Sequence, residues 1–521
     1  MARSGAVSLV GSVAAALGGF ALTIVLGRLF GAHLAGLYFQ AVAVLMILNG
    51  VALAGSDTGL VRALSGHRAV GDHQRAWRAV RLTLTPVLLW SLVVAATLAV
   101  LVDDIAATFP AADRSTVTAF CWVLVGTLVV SATGQAALNG TRSLGSVLPF
   151  VWLYQVLLPT SRLAAVALLW WVDAPAEWLL VSYAAPLVLM DLAAAALLLR
   201  GVRRARTAAP APASSPAATP ATPPDVRAEA RALWAFNLPR GVASCLELAI
   251  VWADVIVVGI LLGPAAAGAW AAASRFVTTG TMAMEALRLQ SAPAMAAAWA
   301  RDDRAAFRDV YAVTTVWLVL VSWPIFLGLA VHAPLVLGVV GPEFAEAAPA
   351  LTVVALGMLV YVAMGNVTAA LLMAGRSALT AAHTAVALGL NIVLNLVLVP
   401  RIGLVGAAVA WAGCLALDSA LGLVRGGRRT GIRLPWRPVL VAGACALLAY
   451  GLPGLALRLV TDPTWSWLGV HALVGTLAYA ALLQLARRPL DLPALRLPAT
   501  HRPSRPSRPS RPSRPSRWRT P

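Results

Sequence analysis

The chain has 521 residues, of which 60% are hydrophobic and 12% are charged. This much apolar surface exceeds what a soluble domain can bury, so the composition excludes an ordinary soluble globular protein. All forty basic residues are arginine, and the formal net charge is +19. Such a balance also occurs in nucleic-acid-binding proteins. Here the arginines cluster in short loops between apolar stretches, so we predict no nucleic-acid partner.

Apolar stretches recur along the chain at roughly the 20-residue length that spans a bilayer as a helix. They predict an all-α integral membrane protein of about 14 transmembrane helices. The first six lie near residues 7–27, 34–55, 84–102, 116–137, 147–171 and 178–199. The next six lie near residues 236–262, 267–287, 310–331, 349–373, 378–400 and 402–424. The last two lie near residues 438–457 and 466–486.

The distribution of arginine predicts the orientation of these helices. The loops after predicted helices two, six, eight and twelve are rich in arginine, and the first of them holds Arg62, Arg68, Arg75, Arg78 and Arg81. The alternate loops carry acids, such as Asp103, Asp104 and Asp113. Because cytoplasmic loops are enriched in basic residues, both termini are predicted to be cytoplasmic.

A repeated motif divides the chain into two halves. Residues 27–38 and 259–270 both follow the pattern G-x-L-[FL]-G-x-x-x-A-G-x-[YW]. Six predicted helices separate the copies, so the two halves have the same orientation and run parallel, an arrangement in which substrate binds between the halves. The predicted divisions are an N-terminal bundle (1–200), a disordered cytoplasmic linker (201–228), a C-terminal bundle (229–425), two additional transmembrane helices (426–489) and a basic low-complexity cytoplasmic tail (490–521). The Arg-Pro-Ser tail either binds anionic lipid headgroups or is a low-complexity extension without a specific partner.

Several segments resemble a known family. They are the repeated motif, Gly341-Pro342-Glu343-Phe344, Gly375-Arg376, Asn391 to Asn395, and Leu398 to Gly403. They resemble the polysaccharide or lipid-linked oligosaccharide flippases of the multidrug/oligosaccharidyl-lipid/polysaccharide (MOP) superfamily, over nearly the whole chain except the linker and the tail. The resemblance implies two six-helix bundles plus two extra helices, alternating access, a cationic cavity and an undecaprenyl-pyrophosphate-linked sugar as cargo.

Charged residues inside predicted helices are candidate functional residues, because an ionisable group at membrane depth is costly. Arg240, Glu247 and Asp254 are spaced seven residues apart, which places them on one helix face. Arg275 follows the second copy of the motif as closely as Asp254 precedes it. Either the two residues form a buried ion pair, or Arg275 faces the cavity. We predict all four as cavity residues.

Arg162 is the fifth cavity candidate. It follows Pro159, which predicts a kink in the fifth helix. Either its planar guanidinium binds pyrophosphate oxygens, or the side chain reaches outward to lipid headgroups.

Further charged residues lie near the predicted cytoplasmic ends of helices. Asp57, Arg62 and Glu285 are candidate gating residues at the cytoplasmic mouth, or solvated helix ends. Asp191 and Asp418 are candidates for coupling transport to a proton or sodium ion. The sequence has no P-loop for ATP and no cluster with metal-ligand spacing, so we predict no cofactor, no metal and no enzymatic activity.

Together with these features, the family resemblance implies a flippase in the bacterial cytoplasmic membrane. Its predicted partners are the lipid-linked sugar, membrane lipids and polysaccharide polymerase or assembly proteins. The alternatives within the superfamily are a lipid II flippase and a multidrug cation antiporter. A glycan polymerase or ligase would need a large outer loop with catalytic residues, whereas a scaffold for a glycan-assembly complex stays compatible with the sequence.

Overall fold

The structure is a computed structural model that describes residues 2–69, 71–144, 148–208, 225–462, 464–488 and 490. Within these ranges the regular secondary structure is helical throughout, which confirms the predicted all-α class. Twelve described helices are long and apolar enough to cross a membrane. Two features bear on the predicted count of about 14: Gly31 breaks the first helix in two, and α10, with 17 residues, falls just short in length. The count and the orientation stay predictions.

The first half, up to residue 208, contains eight α-helices. They are α1 (Ala2–Leu53), α2 (Ser56–Ala69), α3 (His73–Val100), α4 (Val102–Ala107), α5 (Arg114–Thr141), α6 (Leu148–Phe150), α7 (Leu158–Trp171) and α8 (Val181–Ala208). A π-helical stretch, Val151–Leu157, joins α6 to α7 and ends just before Pro159. The predicted irregularity is therefore a π-bulge within one continuous helix, which widens the turn where the proline removes a backbone donor.

The second half begins at α9. Its helices are α9 (Val226–Leu262), α10 (Pro264–Gly280), α11 (Met282–Ala300), α12 (Arg304–Val331), α13 (Ala333–Gly338), α14 (Ala348–Ala363), α15 (Val367–Met373), α16 (Ser377–Ile402), α17 (Leu404–Leu421) and α18 (Gly427–Thr430). The chain then continues with α19 (Trp436–Ala446), α20 (Leu452–Val460) and α21 (Trp465–Leu485).

The segment between the halves is shorter than predicted. Helix α8 continues to Ala208, and α9 starts at Val226. The carboxylate of Asp225 caps α9 by accepting hydrogen bonds from the backbone N–H groups of Arg227 and Ala228, both at 3.0 Å. The ends of the predicted linker 201–228 are thus helical. Residues 209–224, and the tail beyond residue 490, lie outside the described residues.

Both copies of the repeated motif form the same sharp turn. Gly31 has φ 73° and ψ 174°, and Gly263 has φ 91° and ψ 171°. Positive φ costs glycine little because it lacks a Cβ atom. Five residues further on, Gly36 and Gly268 bring the two turns into backbone contact: a Cβ built on Gly36 would lie 1.7 Å from the Pro264 carbonyl oxygen, and one on Gly268 would lie 2.3 Å from the Ala32 carbonyl oxygen. We call this side of the molecule the turn side, and the opposite side the arginine-rich side.

Small residues let α1 and α9 pack closely from one side to the other. A Cβ on Gly259 would meet the side chain of Gln40 at 2.0 Å, and one on Gly241 would meet the backbone carbon of Ala54 at 2.5 Å. Close approach of helix backbones at small residues is a usual basis of helix association in membranes. This seam joins the two halves beside the candidate site.

The last helices are attached to α12 by buried polar contacts. Tyr479 donates a hydrogen bond to the Leu320 carbonyl at 3.0 Å. His471 Nε2 lies 3.0 Å from the Tyr450 carbonyl oxygen, so this nitrogen carries the proton, and Nδ1 of the neutral ring accepts a hydrogen bond from His332 Nε2 at 2.9 Å. The remaining nitrogen of His332, Nδ1, is buried without a partner.

The histidine pair predicts an effect of pH on stability. Burial, followed by repulsion from His471, lowers the pKa of His332. The unfolded chain, with a histidine pKa of about 6.5, therefore binds a proton at a pH where the folded chain does not. We expect the melting temperature to fall as the pH drops from about 7.5 to 5.5 around this value, and His332→Gln to flatten that dependence. Equal slopes in both proteins, measured by thermal unfolding in detergent, would contradict this account.

Candidate functional site

Arg162 lies against two tyrosines inside the first half. Its guanidinium carbon is 3.4 Å from the ring centroid of Tyr183, and the Tyr183 ring meets the Tyr38 ring edge-on at 6.0 Å. The Nε atom of Arg162 is buried and has no hydrogen-bond partner. The aromatic face offsets part of the cost of an arginine at this depth, but it leaves a hydrogen-bond donor unused.

Arg275 approaches the same region from the second half. Its guanidinium carbon lies 4.5 Å from the Trp252 ring centroid and 6.0 Å from that of Phe39. Phe39 adjoins Tyr38 in α1, and Tyr38 is within electrostatic range of both arginines. We call this group the arginine–aromatic cluster; its members are Arg162, Tyr183, Tyr38, Phe39, Arg275 and Trp252. It joins one cation from each half at the seam.

Asp191 lies next to this cluster. It is 1% exposed, and neither of its carboxyl oxygens has a hydrogen-bond partner. Gly134 gives it room, since a Cβ there would lie 2.1 Å from the Cβ atom of Asp191. Arg162 is within electrostatic range of this carboxyl group. The Ser131 hydroxyl lies near this carboxyl group. A buried carboxyl group with so few donors is a suitable place to take up a proton or a cation.

Asp254 contacts α16. Its carboxylate accepts a hydrogen bond from Asn395 Nδ2 at 2.8 Å, and the same Nδ2 lies 3.2 Å from Asn391 Oδ1. Asn395 Oδ1 is buried and has no hydrogen-bond partner. One interpretation of the sequence paired Asp254 with Arg275. In the structure, the carboxylate of Asp254 bonds to Asn395. The clustered oxygens of these residues suit a proton or a monovalent cation.

Arg240 and Glu247 form a two-pronged ion pair on α9, with N–O distances of 3.2 and 3.3 Å. Their side chains are 34% and 49% exposed. Val242, 63% exposed, lies on the opposite side of the helix from Arg240 by helical geometry. We infer that Val242 faces lipid and that the ion pair faces an aqueous space, because charged groups in membrane helices point to cavities.

The other predicted residues lie toward the arginine-rich side. Arg62 lies 4.4 Å from the Phe236 ring centroid and lines a cavity of about 250 Å³ between α2, α3 and α9. Asp57 is in the first turn of α2 and is partly buried. Asp418 accepts a hydrogen bond from Thr384 at 3.4 Å. Glu285 belongs to α11, but its side chain lies outside the described part of the chain.

Two ion pairs at this cavity were not predicted from the sequence. Arg78 donates two hydrogen bonds, both 3.1 Å, to the carboxylate of Glu229, and Arg75 lies 3.4 Å from the same carboxylate. These pairs connect α3 of the first half to α9 of the second. In the sequence, Arg75 and Arg78 are indistinguishable from the other arginines of their cluster, so no local signal identifies them.

Replacing Glu229 with glutamine is expected to loosen this side of the molecule. The Arg78–Glu229 side chains are 25% and 28% exposed, so the pair contributes modestly, about 0.5–1 kcal/mol. We introduce a cysteine at Ala63, in the cavity wall, and measure its reaction with a membrane-impermeant maleimide. In Glu229→Gln we expect the reaction to be roughly two- to fivefold faster, because a loss of about 0.5–1 kcal/mol corresponds to that factor. Asp302→Asn, which breaks the exposed Arg304–Asp302 pair within the second half, should leave the rate unchanged. Equal reaction rates in both variants would show that the ion pairs of Glu229 do not hold this side of the molecule together.

Comparison with known proteins gives three matches. Residues 239–397 match the MatE family. The chain is 28% identical over 196 residues to the probable low-salt glycan biosynthesis flippase Agl15 of Haloferax volcanii. The aligned residues cover 37% of this chain and 41% of that protein. The structure resembles the lipid II flippase MurJ in its inward closed conformation, with TM-score 0.62, 13% identity and coverage of 93% of this chain and 99% of MurJ. An inward-facing multidrug resistance MATE family transporter of the MOP superfamily gives TM-score 0.60, 13% identity and coverage of 81% and 98%.

These matches define the class. The chain is a multi-pass membrane protein with the fold of transporters and flippases, and the proteins it matches are transporters rather than enzymes. Residues 239–397 carry the MatE match, and the fold is shared with MurJ and with a MATE transporter of the MOP superfamily, the superfamily that the sequence resemblance named. The chain spans less than half the length of its glycan flippase relative.

Proposed function

We propose that this protein moves a polyprenyl-pyrophosphate-linked oligosaccharide, a polysaccharide precursor, from the inner to the outer leaflet of the bacterial cytoplasmic membrane by alternating access. The arginine–aromatic cluster carries this proposal. It presents one arginine from each half, and Arg162 has a buried Nε without a partner. Planar guanidinium groups suit the paired oxygens of a pyrophosphate. The glycan relative supports a sugar-linked cargo.

In this mechanism the arginine-rich side is cytoplasmic and the turn side faces outward. The pyrophosphate headgroup enters the space between the halves and contacts Arg162 and Arg275, while the hydrophobic tail stays in the lipid. Arg240 and Glu247 line the approach. The arginines offset the phosphate charge, so the headgroup crosses without direct exposure to hydrocarbon.

The driving force is the membrane potential, worth about 2.3 kcal/mol per charge per 100 mV, or ion exchange. Asp191, with two unpartnered oxygens, is the strongest candidate for the exchanged proton or cation, followed by Asp254 in its amide network. Asp418 already accepts a hydrogen bond from the hydroxyl group of Thr384, so it is the weaker candidate for binding the exchanged ion. Polysaccharide polymerase or assembly proteins are the proposed recipients of the cargo.

A second candidate is lipid II transport. It is favoured by the structural similarity to a lipid II flippase over 93% of this chain. Both cargos carry a pyrophosphate, so the arginine–aromatic cluster serves either one. A multidrug cation antiporter fits less well, because two arginines would repel an organic cation.

The test is transfer of fluorescent lipids across liposomes that contain the purified protein. We expect protein-dependent transfer of an undecaprenyl-pyrophosphate oligosaccharide, faster with an imposed potential. Transfer of lipid II alone would move the assignment to the second candidate. Proton-coupled efflux of an organic cation, with no transfer of either lipid, would overturn the proposal.

A further inference from the structure

An apolar groove of about 300 Å³ lies on the turn side, at the seam between the halves. Its walls come from α1, the end of α3, α4, the start of α5 and the last turns of α9. The residues that shape it most are Leu37, Leu98, Phe109, Phe120, Ile256 and Ile260. The arginine–aromatic cluster is a separate site, because Tyr38 and Phe39 point away from the face of α1 that carries Leu37, Gln40 and Val44.

The lining of the groove is mostly apolar. Its polar lining residues Gln40 and Thr108 each donate a hydrogen bond to the backbone carbonyl of an earlier residue. Gln40 Nε2 donates to the Gly36 carbonyl at 3.4 Å, and Thr108 Oγ1 donates to the Ile105 carbonyl at 2.6 Å. Water needs two to four polar partners to occupy a cavity. The groove therefore suits an apolar occupant.

The mouth of the groove faces the surrounding membrane. Ile260, which lines one edge of the groove, is 74% exposed. Apolar side chains this exposed on a transmembrane helix lie against lipid. An unfilled groove would forfeit dispersion contacts along its walls, and the hydrocarbon that can enter is the chain of a neighbouring lipid.

A cation stands at the rim. Arg114, the first residue of α5, donates from Nε to the Phe109 carbonyl at 3.2 Å and from Nη2 to the Ala107 carbonyl at 3.5 Å. These two carbonyls flank Thr108 of the groove wall and hold the guanidinium beside the mouth. The exposed acids Asp103 and Asp104 begin α4, a helix of six residues and about 9 Å length. A cation and two acids so placed are complementary to a phosphate and an ammonium group.

We propose that the groove binds one glycerophospholipid of the leaflet on the turn side, with an acyl chain in the groove and its phosphate on Arg114. Phosphatidylethanolamine has the matching headgroup, since its ammonium complements Asp103 and Asp104. The proposal does not depend on which cargo the protein transports. Because the groove has walls from both halves, the bound chain contacts both of them at the seam.

The experiment is photo-crosslinking in lipid nanodiscs. The full-length protein is reconstituted with phosphatidylethanolamine that carries a diazirine at the end of one acyl chain, and labelled peptides are identified by mass spectrometry. We expect label concentrated in α3, α5 and the last turns of α9. Arg114→Ala should lower this label at least fivefold. The matched control, Arg401→Ala, removes an exposed arginine in the last turn of α16 and should have no effect.

A second variant tests the groove itself. Ala41 lines the groove and is 9% exposed, so Ala41→Phe fills it from the wall. We expect loss of the label with Arg114 intact. Label spread evenly over all lipid-facing helices, or equal label in Arg114→Ala and Arg401→Ala, would overturn the proposal. Displacement of the label by an equimolar polyisoprenyl phosphate would also overturn the assignment to a phospholipid.

Discussion

Arg162→Ala is expected to reduce transfer of the polyprenyl-pyrophosphate oligosaccharide roughly 10- to 100-fold in liposomes, with unchanged amounts of protein in the membrane. A hydrogen bond to a charged group contributes about 1.5–3 kcal/mol, which corresponds to this range. The guanidinium of Arg162 stacks on Tyr183, and its buried Nε has no hydrogen-bond partner within the protein. The donor is therefore available to the cargo. Arg275→Ala should give a loss of similar size, because each half supplies one of the two arginines.

The controls separate charge from geometry. Arg162→Lys keeps the positive charge but cannot bond two oxygens with a planar fork, so we expect an intermediate rate. Arg376→Ala removes an exposed arginine before α16 and should leave transfer unchanged. Wild-type transfer by both Arg162→Ala and Arg275→Ala would refute the placement of the pyrophosphate at the arginine–aromatic cluster.

Gly36→Ala is expected to reduce transfer about tenfold by holding the halves apart on the turn side. The added Cβ would stand 1.7 Å from the Pro264 carbonyl oxygen, which is backbone and cannot rotate away. Overpacking of this kind costs about 1–3 kcal/mol, and here the cost falls on the state in which the two turns touch. Gly268→Ala, with its Cβ 2.3 Å from the Ala32 carbonyl oxygen, should behave in the same way.

The matched control is Gly19→Ala in the same helix, where a Cβ would meet no atom within 4 Å. All three variants change the helix propensity by the same substitution, so only the contact differs. Transfer should be measured together with the reaction of turn-side cysteine probes with an impermeant reagent. If Gly36→Ala matches Gly19→Ala in both measurements, the turns do not need to touch during transport.

The repeated turns were predictable because their cause is local. Positive φ favours glycine, so the shared glycines of the motif marked Gly31 and Gly263 as equivalent positions. The seven-residue spacing of Arg240 and Glu247 likewise predicted their common face, since helical periodicity needs no tertiary information.

The arginine–aromatic cluster was only partly predictable. Membrane depth identified Arg162 and Arg275, because arginine there is rare and costly. Their aromatic partners gave no signal, since Tyr38 and Tyr183 resemble other aromatic residues of apolar helices and become special only through packing between helices. Asp254 illustrates the same limit: the rotation of α9 against α16, which places it next to Asn395, depends on side chains spread over both helices.

The contact between Gly36 and Gly268 is reciprocal. Each partner in this contact is the same segment of the repeated motif, and each places its glycine against the backbone of the other. An interface in which one surface meets its own copy is isologous, the arrangement found in twofold-symmetric homodimers. The two turns therefore meet as two copies of one surface meet in such a dimer, although both belong to a single chain.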